Sequence, residues 1–203
     1  MNFYLESNFI LELAYLQEEH ASCENILEIA GNGGVRLILP AFAIAEPYSA
    51  WVGRKKRREA VHADLTRELR ELARSEPYAA TRDQFQDVTR ALLVSGEDEK
   101  SRLDQTIEAV LQSCSLIPIE ADTIRTAIDI QLTTDLGPQD SIVYASVLSH
   151  LTNVTSAGEN YFITKNSKDF DNPDITEELT RNGCSLCTSF GEAYGILHRL
   201  LRG

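Results

Sequence analysis

The chain has 203 residues, of which 43% are apolar and 25% are charged, and both values are typical of a soluble globular protein. Its formal net charge of −12 excludes a protein that coats nucleic acid with its whole surface. No basic segment followed by an apolar run opens the chain, and no stretch approaches the roughly 18 apolar residues of a membrane span, so we expect a cytoplasmic protein with no membrane partner.

The first 52 residues predict two strands, each followed by helix. The strands are expected at about 2–6 and at 35–40, and the second is a β-branched and apolar run stopped by a proline. Two helices at about 8–17 and 20–30 separate them, and a third begins in AFAIAEPYSAWV, at 41–52. Ser7 is suited to capping the first helix and also to lining a site.

Residues 53–113 are rich in helix signals and show no strand signal, so we expect a helical insertion with a polar break at SGEDEKS, 95–101. Residues 53–74 hold eight Arg or Lys and four Asp or Glu, a net charge of +4, which leaves −16 for the rest. Three interpretations of the basic run stay open: a solvated helix face, a nuclear-localisation-like patch, or a clamp on an RNA backbone. The run consists of Arg54, Lys55, Lys56, Arg57 and Arg58.

The second half returns to strands alternating with helices. Strands are predicted at 115–119, 161–164 and 184–187, and a loop at 153–160. Helices follow, one of them marked by the apolar residues Ile124, Ile128 and Leu132 and another spanning 139–151. This alternation predicts a single domain over 1–203 with a three-layer α/β/α architecture. We expect a central, mostly parallel sheet of about four or five strands, with the insertion at about 53–113.

Oxygen-bearing side chains follow the predicted strands or open the predicted helices on four separate segments. They are Glu6, Glu46, Asp140, and the pair Asn166 and Asp169. Ligands of parallel sheets bind beyond the carboxyl ends of the strands, so these side chains are expected to meet. Crowded carboxylates repel one another, and a divalent cation relieves that repulsion. Oxygen-only ligands favour Mg²⁺ or Mn²⁺, and such a site suits phosphodiester hydrolysis.

Four short motifs in this order resemble those of the PIN domain family. They are FYLESN with Glu6 and Ser7, LPAFAIAEPYSA with Glu46, QDSIVYAS with Asp140, and FITKNSKDF with Thr164, Asn166 and Asp169. Glu6 stands where the family usually has aspartate. The resemblance, which covers about 1–50 and 115–203, implies a metal centre in which these acids are catalytic residues and cation ligands. It also implies that Asn166 is a further ligand and that Ser7 and Thr164 support the site.

The resemblance implies a metal-dependent endoribonuclease that cuts RNA, expected to be single-stranded, and leaves a 5′-phosphate. A toxin of a toxin–antitoxin module, with a small antitoxin partner and a homodimeric state, is part of this hypothesis. The main alternative is an RNA- or protein-binding module of the same fold whose metal chemistry is weakened by Glu6. A phosphatase-like or receiver-like α/β protein fits less well, because the first strand carries no DxD motif.

Overall fold

The computed structural model describes residues 1–79, 85–153 and 158–201. Residues 154–157 of the loop predicted at 153–160, and residues 80–84 of the predicted insertion, lie outside the described residues. No helix in the described ranges is long and apolar enough to cross a membrane.

Five parallel strands form one sheet, which confirms the predicted sheet. Their spatial order is β3-β2-β1-β4-β5, so the first strand occupies the centre. It pairs with β2 on one side and with β4 on the other. The strands are β1 (Asn2–Leu5), β2 (Arg36–Pro40), β3 (Cys114–Ile117), β4 (Asn160–Ile163) and β5 (Cys184–Cys187).

Helices cover both faces of this sheet and complete a three-layer α/β/α architecture. They are α1 (Ser7–Tyr15), α2 (His20–Gly31), α3 (Ala45–Leu72), α4 (Gln86–Ser113), α5 (Ala121–Thr133), α6 (Pro138–Asn153), α7 (Ser167–Phe170), α8 (Pro173–Arg181) and α9 (Phe190–Leu200). The helices α1, α2, α4 and α9 pack against one another, while α5 packs on α6. Single turns of 3₁₀ helix at Ala41–Ile44 and Glu76–Tyr78 precede and follow α3.

The central strand is buried on both faces, as expected for a parallel sheet between two helical layers. Phe3, Tyr4 and Leu5 have no exposed surface, and Phe9 continues the core into α1. Because β1 and β4 run in the same direction and pair in register up to Leu5 and Ile163, the residues that follow them emerge at the same edge of the sheet. That edge carries the candidate site.

The predicted polar break at 95–101 is wrong, because α4 runs without interruption through it. Contacts with α3 explain the continuity. Buried Gly96 accepts a hydrogen bond on its carbonyl oxygen from Trp51 Nε1 at 2.9 Å. Buried Glu99 forms ion pairs with Arg54 and Arg58 at 3.1 and 2.7 Å. The polar sequence is therefore the part of α4 that forms hydrogen bonds and ion pairs with α3.

Helix α5 buries a different face from the one that its apolar residues indicate. Thr123, Ala127 and Ile130 are the buried residues, while Ile128 is 54% exposed and Leu132 is 81% exposed. The buried and the exposed rows both have helical spacing, so periodicity alone cannot choose between them. The small side chains of Thr123 and Ala127 let α5 lie close to α6.

Candidate active site

Glu6 joins the end of β1 to the start of α1. Its backbone is extended, and its side chain caps α1 by accepting a hydrogen bond from the backbone nitrogen of Asn8. The Oε2 atom accepts from this nitrogen at 3.3 Å and lies 3.2 Å from Ser7 Oγ. The Oε1 atom accepts from Thr164 Oγ1 at 3.1 Å and from the backbone nitrogen of Lys165 at 3.2 Å. Glu6 is thus the N-cap that the sequence assigned to Ser7.

Only 3% of the Glu6 surface is exposed. Burial raises the pKa of Glu6 above its ordinary value, because water no longer stabilises the charged form. The hydrogen bonds from Asn8, Lys165 and Thr164 act in the opposite direction and favour the carboxylate. The side chain is therefore a buried acid whose carboxylate accepts from Asn8, Thr164 and Lys165.

Ser7 brings Glu46 into the same site. Its hydroxyl donates to Oε2 of Glu46, which lies at the start of α3, and it also lies within hydrogen-bond distance of Glu6. Ser7 is 3% exposed, whereas Glu46 is half-buried. The 3₁₀ turn after β2 sets this position, since it delays the α-helix until Ala45 and places Glu46 in the first turn.

The turn after β4 carries Asn166 and Asp169, two further residues of the site. The backbone nitrogen of Asn166 donates to Thr164 Oγ1 at 2.9 Å, and Thr164 is fully buried. The Asn166 side chain donates from Nδ2 to Asp169 Oδ2 at 2.8 Å. The same side chain hydrogen-bonds Asp140 and favours its charged form. A chain of polar contacts therefore runs from Glu46 through Ser7, Glu6, Thr164 and Asn166 to Asp169 and Asp140.

Asp140 shows the cost of bringing these acids together. Burial, reinforced by the negative charges of Glu46 and Asp169, raises the pKa of Asp140 to about 6. No Lys or Arg offsets this repulsion, because none of the ion pairs within the described ranges involves Glu6, Glu46, Asp140 or Asp169. The acids of the site therefore have no ion-pair partner among the described residues.

Glu46, Asp140 and Asp169 fit a divalent cation by their chemistry. They supply hard carboxylate oxygens, they stand close enough to raise the pKa of Asp140, and they lack a cationic partner among the described residues. No group of three or more His, Cys, Asp or Glu in the described parts of the chain is placed to hold a metal ion. Binding of one ion by these three acids would therefore require their side chains to move.

The structure divides the basic run at the start of α3. Arg54 and Arg58 point to Glu99 on α4, and the Arg54 guanidinium also lies 4.3 Å from the centre of the Tyr15 ring. Lys55, Lys56 and Arg57 are exposed. Of these three, Lys55 lies 3.9 Å from Glu59, its neighbour one turn further along α3.

Lys165 is a part of the site that the sequence analysis missed. Besides its backbone contact with Glu6, its Nζ atom donates to Glu12 at 2.7 Å and to Glu18 at 3.2 Å. Glu12 is 1% exposed and also accepts from the backbone nitrogen of Glu19. In the sequence, the position of Lys165 directly after Thr164 is the one sign of this role. Every residue type but proline has a backbone N–H, so the donor to Glu6 cannot be recognised from the residue type.

Fold and site together define a parallel α/β domain with an acidic centre at the carboxyl edge of its sheet. A family model for the PIN domain matches residues 3–170, and the chain belongs to this family. The match runs through the helical segment 53–113 as well as through all four motifs. No curated protein and no solved structure matched the chain. PIN domains are generally nucleases and typically depend on a divalent metal.

Proposed function

We propose that this PIN domain is a metal-dependent endoribonuclease. The observation that carries the proposal is the convergence of four acids, from four segments of the chain, on one network of polar contacts. Glu46, Asp140 and Asp169 remain partly exposed at that edge, where a phosphodiester could reach them. Mg²⁺ or Mn²⁺ held there would supply an activated water and would neutralise the charge that builds on the phosphate oxygens.

The side chains of the site have distinct parts in this reaction. Glu46, Asp140 and Asp169 would hold the cation, and Asn166 would orient the two aspartates or offer its amide oxygen as a further ligand. Ser7 fixes the Glu46 carboxylate, and Thr164 fixes the turn that carries Asn166. Hydrolysis in line with the departing 3′-oxygen leaves a 5′-phosphate.

Single-stranded RNA is the substrate that we propose, since splayed strands enter narrow sites more easily than duplexes. The exposed Lys55, Lys56 and Arg57 supply positive charge on the helix that also carries Glu46. Arg54 and Arg58 are occupied by Glu99, so they contribute little to such a surface.

The cleavage proposal is tested with mixed-sequence RNA in Mg²⁺, Mn²⁺ or EDTA. We expect 5′-phosphate products with either metal and none in EDTA. Asp140→Ala should abolish cleavage while RNA binding persists. A wild-type chain that binds RNA but never cleaves it, even in Mn²⁺, would contradict the nuclease and favour the RNA-binding module instead. The absence of a ready-made cation cluster among the described residues is the observation that favours this second function.

The basic surface is tested by the pair of substitutions Lys56→Glu and Arg57→Glu. Loss of two phosphate contacts should weaken RNA binding and reduce the salt slope by about 1.4. Arg67→Glu with Arg70→Glu is the matched control, because it makes the same charge change on exposed residues of the same helix, roughly 15–20 Å further along its axis. Equal weakening by both pairs would show that general charge, and not this surface, attracts RNA.

A homodimer is the assembly that we propose, with the exposed face of α5 as its contact. Ile124, Ile128 and Leu132 form one apolar row, and Arg125 and Asp129 flank it on the same side. In an antiparallel pair of α5 helices, equal flanks face each other, so Arg125 of each copy meets Asp129 of the other. The surface is complementary to itself in both apolarity and charge.

The role in the cell that we propose is that of a toxin held in check by a small antitoxin. The support is the family membership and the proposed RNA cleavage. Expression of the wild type should arrest growth, while Asp140→Ala should not. Equal growth of the two strains, at equal protein levels, would contradict this role without affecting the cleavage proposal.

A further inference from the structure

Glu6 occupies the place where the resemblance implies a cation ligand, yet its surroundings differ from those of the other acids. Its carboxylate accepts from Asn8, Thr164 and Lys165 at 3.1 to 3.3 Å, and Ser7 Oγ lies 3.2 Å from it. A carboxylate has about four acceptor positions, so three have a donor and the fourth faces the Ser7 hydroxyl, whose one proton is shared with Glu46. A cation at Glu6 would have to displace one of the three donors or the Ser7 hydroxyl.

The burial of Glu6 makes such a displacement costly. Its residue surface is 3% exposed, and the freed donor would be left without water in the interior. Glu46 and Asp169 differ, because both are half-buried and each accepts one side-chain hydrogen bond, from Ser7 and Asn166 respectively. The oxygens available to a cation are therefore those of the outer acids.

The four groups within hydrogen-bond distance of Glu6 belong to two distant segments. Ser7 and Asn8 form the first turn of α1, whereas Thr164 and Lys165 form the turn after β4. Glu6 links these segments across 158 positions of the chain. Glu6 contacts Ser7, which donates to Glu46. It also contacts Thr164, which accepts from the backbone nitrogen of Asn166.

We infer that Glu6 is a positioning residue that holds the ligand-bearing segments together, and that it does not ligate the cation. The cation part of this inference rests on the proposed function, whereas the positioning part does not. The length of the side chain matters as well. Aspartate is shorter by one methylene, so its carboxylate could not reach the donors of both segments without a backbone shift.

The sign of a stability change in EDTA tests the positioning role without any metal. If Glu6 were one of a set of repelling ligands, Glu6→Gln would relieve repulsion and raise Tm. If Glu6 is a positioning residue, Glu6→Gln loses charge-assisted hydrogen bonds and turns an amide donor toward other donors, so we expect Tm to fall by about 5–10 °C. Glu6→Asp, which restores the usual family residue, should also lower Tm. A rise in Tm for Glu6→Gln overturns the inference.

Calorimetric titration with MnCl₂, well below the Tm of every variant, tests the ligand assignment. We expect the Mn²⁺ affinity of Glu6→Gln to stay within about threefold of the wild type, and that of Asp140→Asn to fall by about tenfold or more. A folded Glu6→Gln that loses as much affinity as Asp140→Asn overturns the inference. A wild type that binds no Mn²⁺ overturns the proposed function, and the EDTA comparison then still decides whether Glu6 positions the two segments.

RNA cleavage at the same temperature separates positioning from stability alone. The Glu6→Gln variant should show a kcat lowered by about tenfold or more, with the Mn²⁺ concentration for half-maximal rate unchanged within about threefold. A kcat equal to that of the wild type would make Glu6 a residue of fold stability only and would overturn the positioning role.

Discussion

At the scale of single residues, Asp140 reports on the charge of the whole site. Its pKa of about 6 lies well above the ordinary value of 3.8, because the residue is half-buried and faces Glu46 and Asp169. This repulsion is unfavourable in the folded state, and a bound divalent cation would relieve it. In the function that we propose, stability and activity are therefore opposed at this position.

Asp140 predicts how the stability of the cation-free protein depends on pH. Between about pH 4 and pH 6 the folded state holds a proton that the unfolded state has released, so this contribution to stability is lost as pH rises. Screening by solvent reduces it to about 1 kcal/mol. Urea unfolding in EDTA should show the stability of Asp140→Asn, relative to the wild type, growing by about that amount from pH 4 to pH 7.

The comparison with Asp140→Asn removes the contribution of the other carboxyl groups. Glu6, whose pKa is also raised, contributes with the same sign and remains in both proteins. A stability difference that stays constant across this pH range would show that Asp140 titrates normally and that the three outer acids do not repel one another.

The sequence predicted which residues lie together at the site better than it predicted what surrounds each of them. The position of each acid at a strand or helix end follows from local patterns, and polar contacts and charge interactions link Glu6, Glu46, Asp140 and Asp169 in the structure. The donors around Glu6 could not be predicted, because two of them are backbone nitrogens whose direction depends on the packing of β4 beside β1.

At the scale of secondary-structure elements, Glu99 holds the long helices α3 and α4 together. Its side chain is 8% exposed and receives both arginines, with Arg58 donating through both of its terminal nitrogens. Arg54 and Arg58 lie one turn apart on α3, so one acid on α4 can accept from both. The pair of helices α3 and α4 is thus stabilised by ion pairs as well as by apolar packing.

Glu99→Ala should lower the free energy of unfolding by about 2 kcal/mol. The removal of a buried partner costs up to about 5 kcal/mol, but the stranded arginines are partly exposed and regain some hydration. Glu59→Ala is the control, because its pair with Lys55 is exposed and is expected to contribute under about 1 kcal/mol. Equal effects in urea unfolding would show that the Glu99 pair adds nothing beyond a surface ion pair.

Helical character was predicted correctly for the described parts of 53–113, since helix signals repeat there without a strand signal. The partners of the charged residues were not predictable from the sequence. RKKRR contains two arginines that pair inside the protein and three cations that face outward, and only the position of α4 decides which are which. The same limit applies to α5, where two rows of helical spacing compete for the buried face.

At the scale of the whole molecule, the exposed row on α5 predicts a dimer. Light scattering during gel filtration should give twice the monomer mass for the wild type at micromolar concentration. Ile128→Glu should give a monomer, because it places a carboxylate at the centre of the contact. Val61→Glu is the control, since Val61 is also about half exposed but lies on α3.

Exchanged charges test the orientation of that contact. Arg125→Asp and Asp129→Arg should each raise the dimer Kd by about tenfold, and the double variant should restore it toward the wild-type value. A wild-type monomer would contradict the dimer. A dimer that is unaffected by Ile128→Glu would place the contact elsewhere on the molecule.

The central position of β1 has a consequence for synthesis on the ribosome. β1 is made before its partner β4, which lies about 158 residues later. The middle of the sheet therefore keeps an open hydrogen-bonding edge until β4 has been made. Asn166 and Asp169 emerge only after β4, so a nascent chain that ends before this point lacks part of the acidic site.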